Sequence, residues 1–219
     1  NGSKTTAGYT EASRGCKHLC RECPVGPVYQ GKFRIVPVEV VLADIVPQVQ
    51  AGATHVSFGD PDFFNGPTHA MKVVAAMHAE FPDVSFDATI KIQHLIEHAE
   101  LLPRLRAAGC LFLTSAVESV DDQVLQHLAK NHSHADFECA LRLCREAGIF
   151  LAPTFVPFMP WTTLGGYRDL LVSLVRLRLA EAVPPVQLCL SLLVPEGSYL
   201  LRLPGFLAMI DPFAGEVLG

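Results

Sequence analysis

The sequence predicts an α/β protein made of parallel strand–helix units, arranged either as a barrel or as a doubly wound sheet. Short apolar runs alternate along the chain with longer segments in which apolar residues recur at helical spacing. Half of the residues are hydrophobic and 18% are charged, and the mean hydropathy is +0.30. This balance favours strands that are buried on both faces, as they are in parallel sheets.

About six strands are predicted from these short apolar runs. They are expected at residues 10–13, 55–58, 84–90, 110–116, 149–156 and 186–194. Parallel strands point the same way, so the segments that follow their C-terminal ends gather on one face. We therefore expect the functional groups on that face.

The predicted helices separate these strands. They are expected at residues 38–51, 68–81, 92–108, 122–128, 135–147 and 164–183. Pro47 is expected to kink or shorten the first helix, and Pro103 to break the third. Asp121 is the predicted N-cap of the fourth.

One domain is expected over residues 1–219, because no internal repeat and no linker divides the sequence. A chain of this length can bury a sizeable core. The sequence begins without Met and ends without a clear stop signal, which suggests an excised domain or a fragment of a longer chain.

Charge and hydropathy argue against two classes of partner. The formal net charge is −5 and no dense run of Lys and Arg occurs, so the electrostatic signature of a nucleic-acid-binding protein is missing. The most apolar helix candidate is interrupted by Arg176, Arg178 and Glu181, which argues against a membrane span. With no export signal, the seven cysteines are expected in a reducing cytoplasm rather than in disulfides.

Three cysteines lie close together in the sequence GCKHLCRECP, residues 15–24. Cys16, Cys20 and Cys23 have the spacing C-x3-C-x2-C. Soft thiolates on one short loop can hold three corners of an iron–sulfur cube and leave the fourth iron open. His18 lies within the loop and offers an alternative, a structural Cys3His zinc site. The loop alone allows both.

The cysteine loop, placed after a first strand, resembles the signature of the radical S-adenosylmethionine (SAM) superfamily. The resemblance implies a partial parallel (β/α)6 barrel of TIM-like form, the radical SAM core. It implies that Cys16, Cys20 and Cys23 bind a [4Fe–4S] cluster, and that SAM on the open iron is cleaved reductively to methionine and a 5′-deoxyadenosyl radical. An electron donor of flavodoxin or ferredoxin type would be needed, and the radical would abstract hydrogen from an unidentified small-molecule or peptide substrate.

The resemblance also assigns contacts with SAM. The assigned residues are Gly59, Asp60, Pro61, Asp62, Lys91, Glu118 and Leu193. Residues 59–62 resemble a Gly-Gly-Glu-like segment that receives the SAM amino group, although Asp stands where Glu is common; a carboxylate still suits an ammonium group. Lys91 would pair with the SAM carboxylate, Glu118 would accept the ribose hydroxyls, and Leu193 would flank the adenine. The alternatives are an ordinary turn at residues 59–62 and a helix-capping role for Glu118.

Three segments, GDPDFFNGP, SAVESVDDQVL and LLVPEGS, most resemble a branch called the CUAEP/CCAEP-tail radical SAM proteins. That branch is named for a C-terminal tail that carries cysteine or selenocysteine. The sequence contains no such tail, so we expect either that the tail lies beyond Gly219 or that this protein lacks it. Assignment to this branch therefore rests on less support than assignment to the superfamily.

The other polar and thiol side chains are expected to lie outside the site. The segment Lys130-Asn131-His132 resembles a Lys-Gly-His motif, and a solvated loop that includes His134 is expected there. Three histidines on helices are expected at the surface: His94, His98 and His127. Four cysteines are expected to be inert buried thiols: Cys110, Cys139, Cys144 and Cys189.

Overall fold

The computed structural model describes residues 6–209 of the chain. The strands are β1 (Thr6–Thr10), β2 (Ser13–Gly15), β3 (Phe33–Ile35), β4 (Ala53–Phe58), β5 (Ser85–Thr89), β6 (Cys110–Glu118) and β7 (Phe150–Phe155). Five of them form one sheet in the order β1-β4-β5-β6-β7, and every neighbouring pair in it is parallel. Strands β2 and β3 form a separate antiparallel ribbon. The fold is an α/β fold with an unclosed parallel sheet, as the sequence predicts.

Helices connect the strands of the large sheet. They are α1 (Val25–Tyr29), α2 (Val38–Gln50), α3 (Pro67–Glu80), α4 (Ile92–Glu97), α5 (Leu102–Ala107), α6 (Asp122–Leu128), α7 (His134–Glu146) and α8 (Leu164–Arg176). Asp121 caps α6, because its carboxylate accepts the N–H groups of Gln123 and Val124. Helix α2 continues past Pro47 to Gln50, so this proline does not shorten it.

The first and last predicted strands differ from the structure. Strand β1 ends at Thr10, and the following residues enter the β2–β3 ribbon. Residues 186–194 do not form a strand: a 3₁₀ turn covers Pro185–Cys189, and a single parallel bridge joins Ser191 to Phe158. Prolines lack the N–H that a sheet ladder needs, and Pro184 and Pro185 directly precede the predicted strand.

The predicted helix at residues 164–183 is also too long. Helix α8 ends at Arg176, and Arg178 adopts a left-handed backbone with φ of +55°, which a continuing helix does not allow. The break predicted at Pro103 is present, because this proline lies in the first turn of α5, after a 3₁₀ turn at Ala99–Leu101.

The two faces of the large sheet differ in chemistry. Val56 and Phe58 of β4 belong to the apolar core that the helices cover, whereas His55 and Ser57 lie half-buried on the opposite face. On that inner face, Asp87 of β5 binds both: its Oδ1 lies 2.8 Å from His55 Nε2 and 2.6 Å from Ser57 Oγ. The inner face is therefore partly polar, unlike the two apolar faces that the composition predicts.

Within residues 6–209, the structure contains no helix with the length and hydropathy needed to cross a bilayer.

Candidate functional site

A cavity of about 420 Å³ opens at the C-terminal ends of the parallel strands. It is lined by most of the residues that the sequence predicts for the cluster or SAM: Cys16, Cys20, Cys23, Pro61, Lys91, Glu118 and Leu193. These residues come from five separate segments of the chain. The fold thus brings them to one place, as parallel strands that all point one way require.

The cysteine loop is held from two sides. The Arg21 N–H donates to the carbonyl oxygen of Leu128 at the end of α6 (2.9 Å), and the Ser198 hydroxyl donates to the Arg21 carbonyl (2.9 Å). Cys16 and Cys20 are buried, and Cys23 is half-buried. Burial raises the pKa of the Cys16 and Cys23 thiols. Their thiolate forms therefore need positive charge at the sulfurs, which bound metal supplies.

The sulfur spacing does not match a closed zinc site. Among residues 6–209, one group of at least three His, Cys, Asp or Glu side chains has all its ligand atoms within 4.8 Å: His18, Asp62 and His94. The three cysteine sulfurs do not form such a group. A tetrahedral zinc ion with Zn–S bonds of about 2.3 Å requires sulfurs only about 3.8 Å apart. At least one pair of the cysteine sulfurs therefore lies farther apart than a single zinc ion would hold it.

Both carboxylates of residues 59–62 face protein partners. The Ala12 N–H donates to Asp60 Oδ2 (2.9 Å) and the Ser13 hydroxyl donates to Asp60 Oδ1 (2.5 Å), while burial raises the pKa of Asp60. Asp62 is fully buried, and its Oδ1 accepts the Lys91 N–H (3.3 Å). Within this segment only Pro61 lines the cavity. The structure thus presents the backbone near Pro61 to the cavity, whereas Asp60 and Asp62 do not line it.

Lys91 follows β5 and reaches the cysteine loop. Its Nζ donates to Cys20 Sγ over 3.2 Å. Both Lys91 and Cys20 line the cavity, so the ammonium group lies beside one of the sulfurs and can pair with an anionic group of a bound molecule.

Glu118 ends β6 in a left-handed backbone, with φ of +69°, and does not cap α6. Its Oε1 lies 3.4 Å from Lys130 Nζ, which also lies 3.0 Å from Glu22 Oε1. Burial raises the pKa of Glu118. Burial alone would lower the pKa of Lys130, but the Glu118 and Glu22 carboxylates outweigh it and raise that pKa. The result is a buried carboxylate–ammonium–carboxylate group in the wall of the cavity.

A family model described as the radical SAM superfamily matches residues 10–164. The chain belongs to the radical SAM superfamily. It is therefore an enzyme, and its family uses a [4Fe–4S] cluster and SAM. The match covers the cysteine loop, residues 59–62, Lys91 and Glu118, so every polar element of the cavity wall described above lies within it.

Curated relatives of this radical SAM chain carry names from methylthiotransfer chemistry. A Methanocaldococcus jannaschii protein, provisionally named a methylthiotransferase, is 23% identical over 215 residues, covering 88% of this chain and 46% of that protein. A tRNA-2-methylthio-N(6)-dimethylallyladenosine synthase of Pseudomonas fluorescens is 24% identical over 182 residues, covering 72% of this chain and 38% of that protein. The chain thus spans less than half the length of these relatives.

Solved radical SAM enzymes share the fold. The methyltransferase TsrM from Kitasatospora setae, solved with cobalamin and a [4Fe–4S] cluster bound, superposes with a TM-score of 0.66 at 20% identity, covering 80% of this chain and 33% of that one. Methylornithine synthase superposes with a TM-score of 0.60 at 17% identity, covering 89% of this chain and 55% of that one. At these identities the similarity shows the fold of the radical SAM core.

The prediction of a solvated loop at residues 130–134 is wrong for Lys130 and His132, because the structure buries both side chains. His132 Nε2 lies 3.3 Å from the Val117 carbonyl oxygen, and burial lowers the pKa of His132 to about 4. Asn131 between them has φ of +58°, a conformation that glycine adopts freely and asparagine tolerates. This explains how Asn can stand where the similar motif has Gly.

Two further expectations are corrected. His94 of α4 is 8% exposed rather than on the surface, because it packs against His18 of the cysteine loop. Cys189 is exposed and Cys139 half-buried, since Cys189 lies in a 3₁₀ turn instead of a strand. Cys110 and Cys144 are buried as expected.

Proposed function

We propose that this chain is the catalytic core of a radical SAM enzyme that generates a 5′-deoxyadenosyl radical and uses it on a small-molecule or peptide substrate. One observation carries the proposal: the three loop cysteines line a single cavity with Lys91 and Glu118. Thiolates for a cluster and charged groups for a zwitterionic nucleoside thus line the same cavity.

The proposed ligands of the cluster are Cys16, Cys20 and Cys23. Because burial raises the pKa of Cys16 and Cys23, their sulfurs hold protons that a bound metal must displace. The contacts of the loop with Leu128 and Ser198 hold the cysteines in position to bind that metal. When bound, the cluster and SAM supply one-electron reductive cleavage of SAM and the resulting 5′-deoxyadenosyl radical.

The proposed SAM contacts follow from the cavity wall. Lys91 offers its ammonium group to the SAM carboxylate, and the backbone near Pro61 offers carbonyl oxygens to the SAM amino group. Glu118 can accept ribose hydroxyls, and Lys130 keeps its carboxylate fixed. Leu193 provides apolar surface near the cavity for the adenine; with 69% of its surface exposed in the structure, it has area left to bury.

The substrate stays open in this proposal. The names of two relatives suggest methylthiotransfer, in one case on tRNA, but the net charge of −5 gives no support for an RNA surface. Membership of the CUAEP/CCAEP-tail branch and a flavodoxin- or ferredoxin-type electron donor are part of the proposal. The chain spans less than half the length of these curated relatives. The activity of a whole enzyme that contains this chain is therefore also part of the proposal.

Anaerobic reconstitution with iron and sulfide tests the proposal. We expect about four irons per chain, a brown chromophore, and 5′-deoxyadenosine once dithionite and SAM are added. Cys20→Ala should lose both the chromophore and the product. Cys139→Ala, which removes a half-buried thiol of α7, is the matched control and should keep both. One zinc per chain with neither iron nor product would overturn the proposal in favour of a structural zinc module.

A further inference from the structure

A second group of metal-ligating side chains lies beside the cysteine loop. His18 comes from the loop itself, Asp62 follows β4, and His94 lies on α4. His18 Nε2 is 3.7 Å from Asp62 Oδ2 and 3.3 Å from His94 Nε2, and Asp62 Oδ2 is 2.7 Å from His94 Nδ1. The side chains are 14%, 0% and 10% exposed for His18, Asp62 and His94. Three elements far apart in sequence thus direct nitrogen and oxygen ligands at one buried point.

Two of the ligand atoms lack a hydrogen-bond partner. Asp62 Oδ2 and His94 Nδ1 are both buried and neither makes a hydrogen bond of regular geometry, although the two atoms lie 2.7 Å apart. Asp62 Oδ1, by contrast, accepts the Lys91 N–H. A buried carboxylate oxygen without a partner costs about 1–3 kcal/mol or more, and native proteins rarely leave one. A cation at this point would supply the missing partner.

We infer that His18, Asp62 and His94 form a second metal site, separate from the cysteines, which binds one divalent first-row transition ion such as Zn²⁺ or Fe²⁺. Two imidazoles and one carboxylate are a common ligand set for these ions, and they leave a position open for water. The three cysteines take no part in this site. Its ligands are nitrogen and oxygen, so it differs from the cluster in its chemistry as well as its position.

The distances fit such an ion after two adjustments. Ligand atoms about 2.0–2.1 Å from a tetrahedral ion lie about 3.3–3.4 Å from one another. The His18–His94 and His18–Asp62 separations of 3.3 and 3.7 Å are close to this value. The Asp62–His94 separation of 2.7 Å must widen by about 0.6–0.7 Å. The His94 ring faces its two neighbours with different nitrogens, so it must also turn to present one of them.

The inferred ion would connect the cysteine loop to the rest of the core. His18 lies two residues from both Cys16 and Cys20, while Asp62 and His94 belong to the sheet end and the helix layer. Coordination would fix the loop before a cluster is present, with the free energy of metal binding added to that of folding. The site is therefore a positioning device for the loop.

Metal binding by the cluster-loaded enzyme tests this inference. Enzyme reconstituted with iron and sulfide and then given one equivalent of Zn²⁺ is expected to hold one zinc per chain in addition to its iron. His94→Gln should keep its iron but bind Zn²⁺ at least about 100-fold more weakly, since even outer-shell changes cost 10- to 100-fold. His134→Gln, which alters a half-buried histidine of α7 outside the three-residue group, is the matched control and should bind Zn²⁺ as the parent does.

A second variant keeps the test independent of the cluster. In Cys16→Ala/Cys20→Ala/Cys23→Ala protein, one equivalent of Co²⁺ should give visible bands without thiolate-to-metal charge transfer, and Asp62→Asn in that background should abolish them. Zinc that displaces iron, zinc retained by His94→Gln, or cobalt bands with thiolate character would each overturn the inference. Because neither arm measures SAM cleavage, failure of the proposed function would leave this result interpretable.

Discussion

Replacing Lys130 with methionine should destabilise the protein far more than removing an exposed ion pair. The Lys130 ammonium group is the shared partner of Glu118 and Glu22, whose side chains are only 12% and 10% exposed. Glu22 Oε2 already lacks a partner. The methionine side chain would fill a similar volume but would leave two buried carboxylates facing each other.

The magnitude follows from the cost of breaking a buried ion pair from one side. Such a change costs about 3–5 kcal/mol, because the remaining charge is no longer compensated. For a protein of this size, 1 kcal/mol corresponds to about 2–4 °C in Tm, so Lys130→Met should lower Tm by about 6–20 °C. Arg142→Met is the matched control. It removes an i,i+4 pair with Glu146 in which both side chains are about 60% exposed, and it should cost only about 0.3–0.5 kcal/mol.

The loss of stability should also depend on pH. Burial raises the pKa of Glu118 even with Lys130 present, and removal of the ammonium group raises it further. The folded state then holds a proton that the unfolded chain releases above its ordinary glutamate pKa, so stability falls as pH rises. The Tm deficit of Lys130→Met should therefore be largest at neutral pH and shrink as pH falls toward 5.

Differential scanning calorimetry of the reconstituted proteins between pH 5.5 and 8 measures both effects. Glu118→Gln in the Lys130→Met background should recover part of the lost Tm, because it removes one of the uncompensated charges. A deficit no larger than that of Arg142→Met, or one that grows on acidification, would refute the buried-charge argument.

Two other predictions rest on local geometry. Asn131 has φ of +58°, so Asn131→Val should lower the free energy of unfolding by about 1–2 kcal/mol while Asn131→Gly should be nearly neutral, as urea denaturation can measure. Burial raises the pKa of the Cys144 thiol to about 12, whereas Cys189 is exposed. Iodoacetamide at pH 8 followed by peptide mass spectrometry should therefore label Cys189 readily and leave Cys144 unlabelled in the native protein; equal labelling would contradict the burial of Cys144.

Most of the fold was predictable because it depends on local sequence patterns. Helical spacing gave α2, α3 and α7 to within a residue or two of their ends, and short apolar runs gave β4–β7. The segment at residues 186–194 was equally apolar but did not form a strand. Two prolines precede it directly, and apolar content alone does not distinguish a strand from irregular chain that packs at a sheet edge.

The candidate site was predictable only where its residues are close in sequence. The cysteine spacing is a local signal, and so is the Glu-Ser pair at the end of β6. The burial of Lys130 was not, because it depends on Glu22, which lies 108 residues away. His94 shows the same limit: it lies on a six-residue helix, too short for the periodicity of apolar residues to separate a buried face from an exposed one.

The polar inner face of the sheet selects one alignment of β4 and β5 during folding. In the native pairing Ser57 lies opposite Asp87 and Val56 opposite Phe86. A slip of one residue would turn every side chain of β5 to the other face, so that Asp87 would enter the helix-covered apolar layer without His55 or Ser57. Burying that carboxylate unpaired would cost several kcal/mol. The same polar side chains that line the inner face therefore disfavour a sheet in which β5 is shifted by one residue against β4.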